Sequence, residues 1–269
     1  MTQPTVSVIV VNYQRANNLR LCLWGIKEQT DAPDEVIVTD DGSTDESLQI
    51  ATEWGATVVT HPHNERRTAA ARWRGAQLAT GELLVFVDSD VVLAPCALAR
   101  YVEAYARNPD RALGGYFKYL PGLVIDEPRW MRLWTADYPR ADVNQGQIVV
   151  GKDPREAMGQ MFFFENPDTV WPNPLSLISA NMAIPRHIYE QSGGWDRAMV
   201  GRGQDGEFSI RIALAGFGFS YLIDAPGVHL AHPVGPHTGP GPHAYLSQKY
   251  PECYEDGKFV WPPRRRHET

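Results

Sequence analysis

Along the first 110 residues the apolar positions alternate between two kinds of pattern. Continuous β-branched runs at VSVIVV (6–11), DEVIVTDD (34–41), ATVVTH (56–61) and ELLVFVD (82–88) predict four strands. Between them the spacing changes to three and four. Leu19, Cys22, Leu23 and Ile26 form one stripe across NNLRLCLWGIKEQT, which predicts a helix. STDESLQIATEWG predicts a second helix, opened by a capping box of Ser43 and Glu46 and closed at Gly55. A third covers RTAAARWRGAQLATG, and a fourth runs from Pro95 to about Asn108. Strands alternating with helices in this way predict βαβ units and a mostly parallel sheet. Right-handed crossovers then put helices on both faces.

After Asn108 the beat stops. Residues 114–178 are rich in Trp, Tyr, Phe and Pro and show no clean period. Order returns with a strand at ISANMAIP and a short helix at RHIYEQSGG. A further helix follows at GQDGEFSIRIALAG, with Phe208, Ile212 and Ala215 along one side. FGFSYLIDAPGVHLAH predicts two short strands, and beyond it Gly, Pro and His dominate. No internal repeat and no sharp boundary divides the chain, which predicts one domain.

Composition narrows the functional classes. A chain of 269 residues with 43% apolar content can bury a sizeable α/β core. The net charge of −7 argues against a nucleic-acid or anionic-membrane partner. Cys22, Cys96 and Cys253 are odd in number and far apart, a pattern of neither a disulfide framework nor a zinc site. The amino end lacks the basic and apolar regions of a signal peptide, and no apolar run approaches the ~18 residues of a membrane span. These features predict a soluble, cytoplasmic protein.

In an open α/β sheet, ligands bind outside the carboxyl ends of the strands. Asn12–Arg15, TDDGST (39–44), His61–Arg67 and DSD (88–90) fall there. Two of these stretches carry paired acids, which repel unless a cation or hydrogen-bond donors lie between them. On an extended chain Asp88 and Asp90 point to one side, an arrangement that suits a divalent cation with oxygen ligands. D-x-D alone is a weak signal, since acids also cap helices and sit in solvated loops.

VSVIVVNYQR, DEVIVTDDGSTDES, AARWRGAQLATGELLVFVDSD and GGWDRAMVGRGQDGEFSIRIALAG occur in this order. Together they resemble the family 2 inverting glycosyltransferases. The resemblance implies a GT-A fold, a Rossmann-like, mostly parallel central sheet with helices on both faces. It divides the single domain into a donor-binding half (1–110), an acceptor-binding and catalytic-base half (111–232), and a Gly/Pro/His-rich lid or tail (233–269). It implies that Val11, Asn12, Tyr13 and Arg15 hold the donor nucleotide with Asp41, whose carboxylate accepts from the uracil N–H, while Asp40 braces the turn. Ala71, Arg72 and Gly75 match the A-R-x-x-G segment near the diphosphate. Trp73 departs from the usual pattern, and so do Glu65, Arg66 and Arg67 where glycine is commoner, which leaves open whether Arg72, Arg67 or both contact the diphosphate.

DSD then matches the metal motif, with Asp90 a ligand of Mn2+ (or Mg2+), Asp88 on ribose or a metal-bound water, and Ser89 in the donor site. A histidine after the last core strand completes such a metal shell. His232 is the first candidate and His229 the second, while His237 and His243 read as surface histidines. Asp205 matches the catalytic base, with Gln204 where the family has glutamate. An acid in a helix's first turn is also common without any such role, and Glu207 shares that position. Trp130, Trp134, Trp171 and Trp195 are the candidate acceptor residues.

These matches imply a metal-dependent, inverting transferase that moves one sugar from a nucleotide-diphosphate sugar, UDP-linked first, to a hydroxyl of a small-molecule or glycan acceptor. The Q-x-x-R-W motif of polymerising members is absent, which favours single-sugar transfer. Two alternatives share the architecture: a nucleotide-binding protein without transfer activity, and a sugar-1-phosphate nucleotidyltransferase. The latter needs a glycine-rich, lysine-containing loop after the first strand, and NYQRANN contains neither residue.

Overall fold

Val6–Asn12 (β1) buries every one of its side chains, as a strand covered on both faces must. In the computed structural model, which describes residues 3–63, 68–120, 177–201, 203–230 and 242–260, β1 lies inside an eight-stranded sheet. It pairs in parallel with Glu35–Asp40 (β2) and Leu83–Asp88 (β4), and β2 pairs in parallel with Thr57–Thr60 (β3). The helices between them are Ala16–Lys27 (α1), Ser47–Trp54 (α2) and Thr68–Leu78 (α3).

Period-two alternation along the strands supplies two cores. Val8, Val10, Val36, Val38, Val85 and Val87 meet α1, α2 and Ala97–Arg107 (α4) on one face. Ile9, Ile37, Leu84 and Phe86 meet α3 and the later helices on the other.

The sheet order is β3-β2-β1-β4-β7-β6-β8-β5. Asn181–Pro185 (β7) runs antiparallel to both β4 and Arg111–Leu120 (β6). Gly218–Leu230 (β8) is parallel to β6 and antiparallel to Val91–Leu93 (β5). Arg186–Gln191 (α5) and Gln204–Leu214 (α6) lie between β7 and β8. The predicted α/β class and mostly parallel sheet are therefore present.

The pattern did not mark β5 or β6. β5 spans only three residues, and Gly114–Gly115 interrupts the alternation of β6. A Cβ on Gly115 would collide with the Tyr101 hydroxyl and the Asn181 amide, so the glycine is required by close packing. The two strands predicted in 217–232 are one strand of 13 residues. Its pairing with β6 jumps from Gly115↔Leu222 to Phe117↔Gly227. Pro226, which has no N–H to donate, falls inside that irregularity.

The capping box is also corrected. α2 starts at Ser47 without a side-chain cap, because the Ser43 hydroxyl is committed to Asp40. Gly55 does end the helix, at φ 92°.

Pro242–Lys249 (α7) and a short hairpin, Tyr254–Glu255 (β9) and Lys258–Phe259 (β10), lie in the Gly/Pro/His-rich end of the chain. Leu246, Tyr250 and Cys253 bury against Ile210 of α6. Among the described residues no helix is long and apolar enough to cross a membrane.

Gly75 sets how closely α3 approaches the sheet. A Cβ there would collide with Ile9, a fully buried β-branched side chain, and come within 3.0 Å of Thr39. Gly75→Ala should therefore destabilise by about 1–3 kcal/mol, although Ala is the better helix former. A thermal melt should read a loss of several degrees. A gain would show that α3 can shift to admit the methyl group.

Candidate active site

The parallel strands end at one edge, and that edge collects the acids. Asp40, at the end of β2, is fully buried and fully engaged. Its Oδ1 accepts from Asn12 Nδ2 at 2.8 Å and from the Ser43 hydroxyl at 2.6 Å, and its Oδ2 from the Ser43 N–H at 2.7 Å. Asp40 thus braces the turn. Asp41 faces two imidazoles instead. His63 Nδ1 lies 2.9 Å from Oδ2, and His61 Nδ1 lies 3.3 Å from Oδ1. The His63 ring stacks on Tyr13 with centroids 4.0 Å apart and planes 8° from parallel. Neither histidine was singled out in the sequence; an H-P-H spacing at a strand end was the available signal.

Arg72 projects from α3 into the middle of the site and is only 5% exposed. Its Nη2 donates to Asp88 at 2.7 Å and its Nη1 to Gln204 at 3.2 Å. Thr68 donates to the same Gln204 oxygen at 2.7 Å. Burial disfavours the guanidinium charge, but Asp88, Asp205 and Asp90 outweigh it, and the Arg72 pKa is raised. Trp195 lies beneath, its ring centroid 5.2 Å from the guanidinium carbon. At 2% exposure, packed on Phe86 and Phe208, Trp195 belongs to the core, and this corrects its expected place in an acceptor groove.

Asp205 occupies the first turn of α6 and is partly buried. Burial raises its pKa, opposed by Arg72 and by hydrogen bonds from Ser179, while Asp88 adds to the rise. Two residues on, Glu207 is held in the opposite state. Only 1% of its side chain is exposed. Arg211 grips both oxygens at 2.8 Å, Lys249 donates at 2.8 Å and the Tyr250 hydroxyl at 2.7 Å. These donors outweigh the burial that would raise it, and its pKa is lowered. Glu207 therefore ties α6 to α7. A surface-decorating role for it is excluded.

Asp90 sits where β5 begins. Pairing of Val91 with His229, and the Leu230 N–H to Asp90 carbonyl bond of 2.7 Å, bring β8 alongside. Asp90 Oδ1 lies 3.5 Å from His229 Nε2, and Oδ2 lies 3.4 Å from Arg15 Nε. His229 Nδ1 faces the Leu230 carbonyl at 3.0 Å. Nε2 is then the ring nitrogen turned toward Asp90. An imidazole nitrogen and a carboxylate oxygen side by side are the donor types that fit a divalent cation.

Among the described residues no three His, Cys, Asp or Glu side chains form a complete metal-holding group. Ser89 is buried, and its N–H donates to the Val11 carbonyl at 3.0 Å. Cys22 lies under this edge, and burial together with Asp90 and Asp88 pushes its thiol pKa up, so it is no nucleophile.

The structure thus brings together Val11, Asn12, Tyr13, Arg15, Asp41, Arg72, Asp88, Ser89, Asp90 and Asp205 along one edge and its adjoining helices. Arg67, Trp130, Trp134, Trp171, His232 and His237 lie outside the described residues, as does the His243 side chain.

Known proteins are similar to this chain in fold and in sequence. A mannosyltransferase from Pyrobaculum calidifontis, solved with GDP-Man and Mn2+, superposes with a TM-score of 0.59 at 22% identity, covering 93% of this chain and 61% of that one. Among curated proteins, a glucosyl-dolichyl phosphate glucuronosyltransferase of Haloferax volcanii is 26% identical over 196 residues, 71% of this chain and 56% of its own. Validoxylamine A glucosyltransferase of Streptomyces hygroscopicus is 28% identical over 243 residues, 85% of this chain and 52% of its own. The chain spans about half the length of these curated relatives. The model of glycosyl transferase family 2 matches residues 7–187, from the first strand through β7 into α5, and the chain belongs to that family.

Proposed function

We propose that this chain is a metal-dependent, inverting glycosyltransferase that moves one sugar from a nucleotide-diphosphate sugar to an acceptor hydroxyl. The observation that carries the reading is Asp205. It is a carboxylate with a pKa raised by burial, set beside the one guanidinium that also grips Asp88. A base must be ionised yet basic enough to take a proton, and partial burial with a compensating cation produces that balance.

In the proposed reaction Asp205 accepts the proton of the acceptor hydroxyl as its oxygen attacks the anomeric carbon. The new C–O bond forms opposite the breaking one, whose electron pair departs with the nucleoside diphosphate. Arg72 opposes the charge that develops there. Its Nε–H is buried without a hydrogen-bond partner among the described residues, so one donor remains for a phosphate oxygen. Asp90 and His229 would hold a divalent cation, with His232 the further candidate, and such an ion would supply positive charge to the leaving diphosphate. Val11, Asn12, Tyr13 and Asp41 would take the nucleoside, with uracil the first candidate base.

The relatives support this reading. The mannosyltransferase of similar fold is described with Mn2+ and a nucleotide sugar. The relative aligned over 85% of this chain is by name a glucosyltransferase for validoxylamine A, which favours a discrete acceptor molecule.

Three outcomes test the proposal. EDTA should abolish sugar transfer and Mn2+ should restore it; full activity in EDTA would remove Asp90 and His229 from metal binding. Asp205→Asn should keep donor affinity and lower kcat by roughly 10²-fold or more. Loss of UDP binding with an unchanged rate per bound donor would instead assign Asp205 to the donor site. The pH profile carries a sign. Because the Asp205 pKa is raised, kcat should start to fall, tenfold per unit of acidification, at a pH above the ordinary aspartate value of about 3.9. That limb should vanish in the Asn variant. A limb unchanged by the substitution would point to another group.

A further inference from the structure

His63 presents what a nucleobase presents. Its ring lies flat on Tyr13, with centroids 4.0 Å apart and planes within 8° of parallel. Its Nδ1 faces two acceptors, Asp41 Oδ2 at 2.9 Å and the Asp41 carbonyl at 3.1 Å. Nδ1 must therefore carry the hydrogen and donate. An aromatic plane stacked on Tyr13 with an in-plane N–H directed at Asp41 is also the arrangement that a uracil ring would adopt on these residues. One face of Tyr13 and one carboxylate oxygen cannot serve both rings.

We propose that His63 is an internal stand-in for the nucleobase, which occupies the Tyr13–Asp41 shelf and must leave it for the donor to bind. This rests on the reading that Tyr13 and Asp41 form the base site.

Two further observations show that the placement is built into the fold. Gly42, at φ 75°, is the residue on which the 61–63 segment rests. A Cβ there would come within 2.5 Å of the His63 nitrogen and 2.9 Å of the His61 carbonyl oxygen. Only a glycine turn lets the end of β3 lie on the turn that carries Asp41. His61 lies on the other side of the carboxylate. Its side chain is 10% exposed, with Nδ1 3.3 Å from the other oxygen of Asp41. When His63 departs, His61 stays beside Oδ1, itself without a hydrogen-bond partner among the described residues, and Oδ2 is left to accept from the base. The side chain of His63 is 35% exposed, so it has room to turn outward.

The cost of the stand-in is a lowered apparent affinity. A donor that binds only the open state loses affinity in proportion to the fraction in which His63 is docked. It also keeps a buried carboxylate and an aromatic face covered between turnovers.

Titration calorimetry of UDP in the presence of Mn2+ tests the proposal on the full chain. His63→Ala should bind UDP tighter, by roughly tenfold if the docked state dominates, with an unchanged melting temperature confirming the fold. Weaker binding in His63→Ala would overturn the proposal, since the ring would then be a contact to the base. Unchanged binding would overturn it equally, with His63 a bystander. Asp41→Ala separates the underlying reading. If it loses UDP binding while His63→Ala does not tighten it, the stand-in falls and the base site stands. If Asp41→Ala binds UDP as the wild type does, the base-site reading itself falls.

Discussion

One buried guanidinium makes the edge of this sheet possible. Parallel strands deliver their carboxyl ends to the same place, so the acids at the ends of β2 and β4 and the start of β5 become neighbours. α6 adds Asp205 from the other side. Like charges this close, partly withdrawn from water, would push one another toward protonation. Arg72 opposes that by pairing with Asp88 and acting through space on Asp205 and Asp90, with Trp195 as its floor. It also joins the parallel first half of the chain to the mixed second half, because its other partner, Gln204, begins α6. The family's glutamate at that position would be a further charge beside Arg72; the neutral amide here accepts from Arg72 and Thr68 and donates to the Gly201 carbonyl.

Asp205 and Glu207 show how one helix turn holds two carboxylates in opposite electrostatic settings. They share a helix start and its dipole, and yet their pKa values are displaced in opposite directions. The difference lies in the donors that reach them. Glu207 accepts four hydrogen bonds, from Arg211, Lys249 and Tyr250, and is locked as an anion that secures α7. Asp205 keeps fewer donors and retains basicity. Separation of neighbouring carboxylates by environment is a general way of assigning an acid to structure and its neighbour to reaction.

The parallel half was legible in the sequence because each strand is a short β-branched run and each helix carries its own stripe and stop, as at Gly55. Asp40 and Asp88 could be read for the same reason, since each terminates a recognisable strand. What escaped depends on distance along the chain. His63 meets Asp41 across 22 residues, and Lys249 meets Glu207 across 42. A helix of one mild stripe between prolines and glycines gives no periodic signal for α7. Trp195 misled for a related reason. Its sequence neighbours carry no sign of burial, and only the packing of Phe86 and Phe208 around it reveals a buried support.

The order of the last strands has a consequence for how such an enzyme can diversify. β6 runs toward the same edge as β4, and β7 starts from that edge, with Asn181 opposite Val87. The chain therefore departs after Leu120 and returns at Asn181 on the side of the sheet that holds the acids. The chain between those two points thus begins and ends beside the acids, while the strands on either side keep their register. Closing a longer excursion costs only logarithmically in its length. One continuous cassette can thus be exchanged or extended at this place in the fold without disturbing the strands that carry the acids.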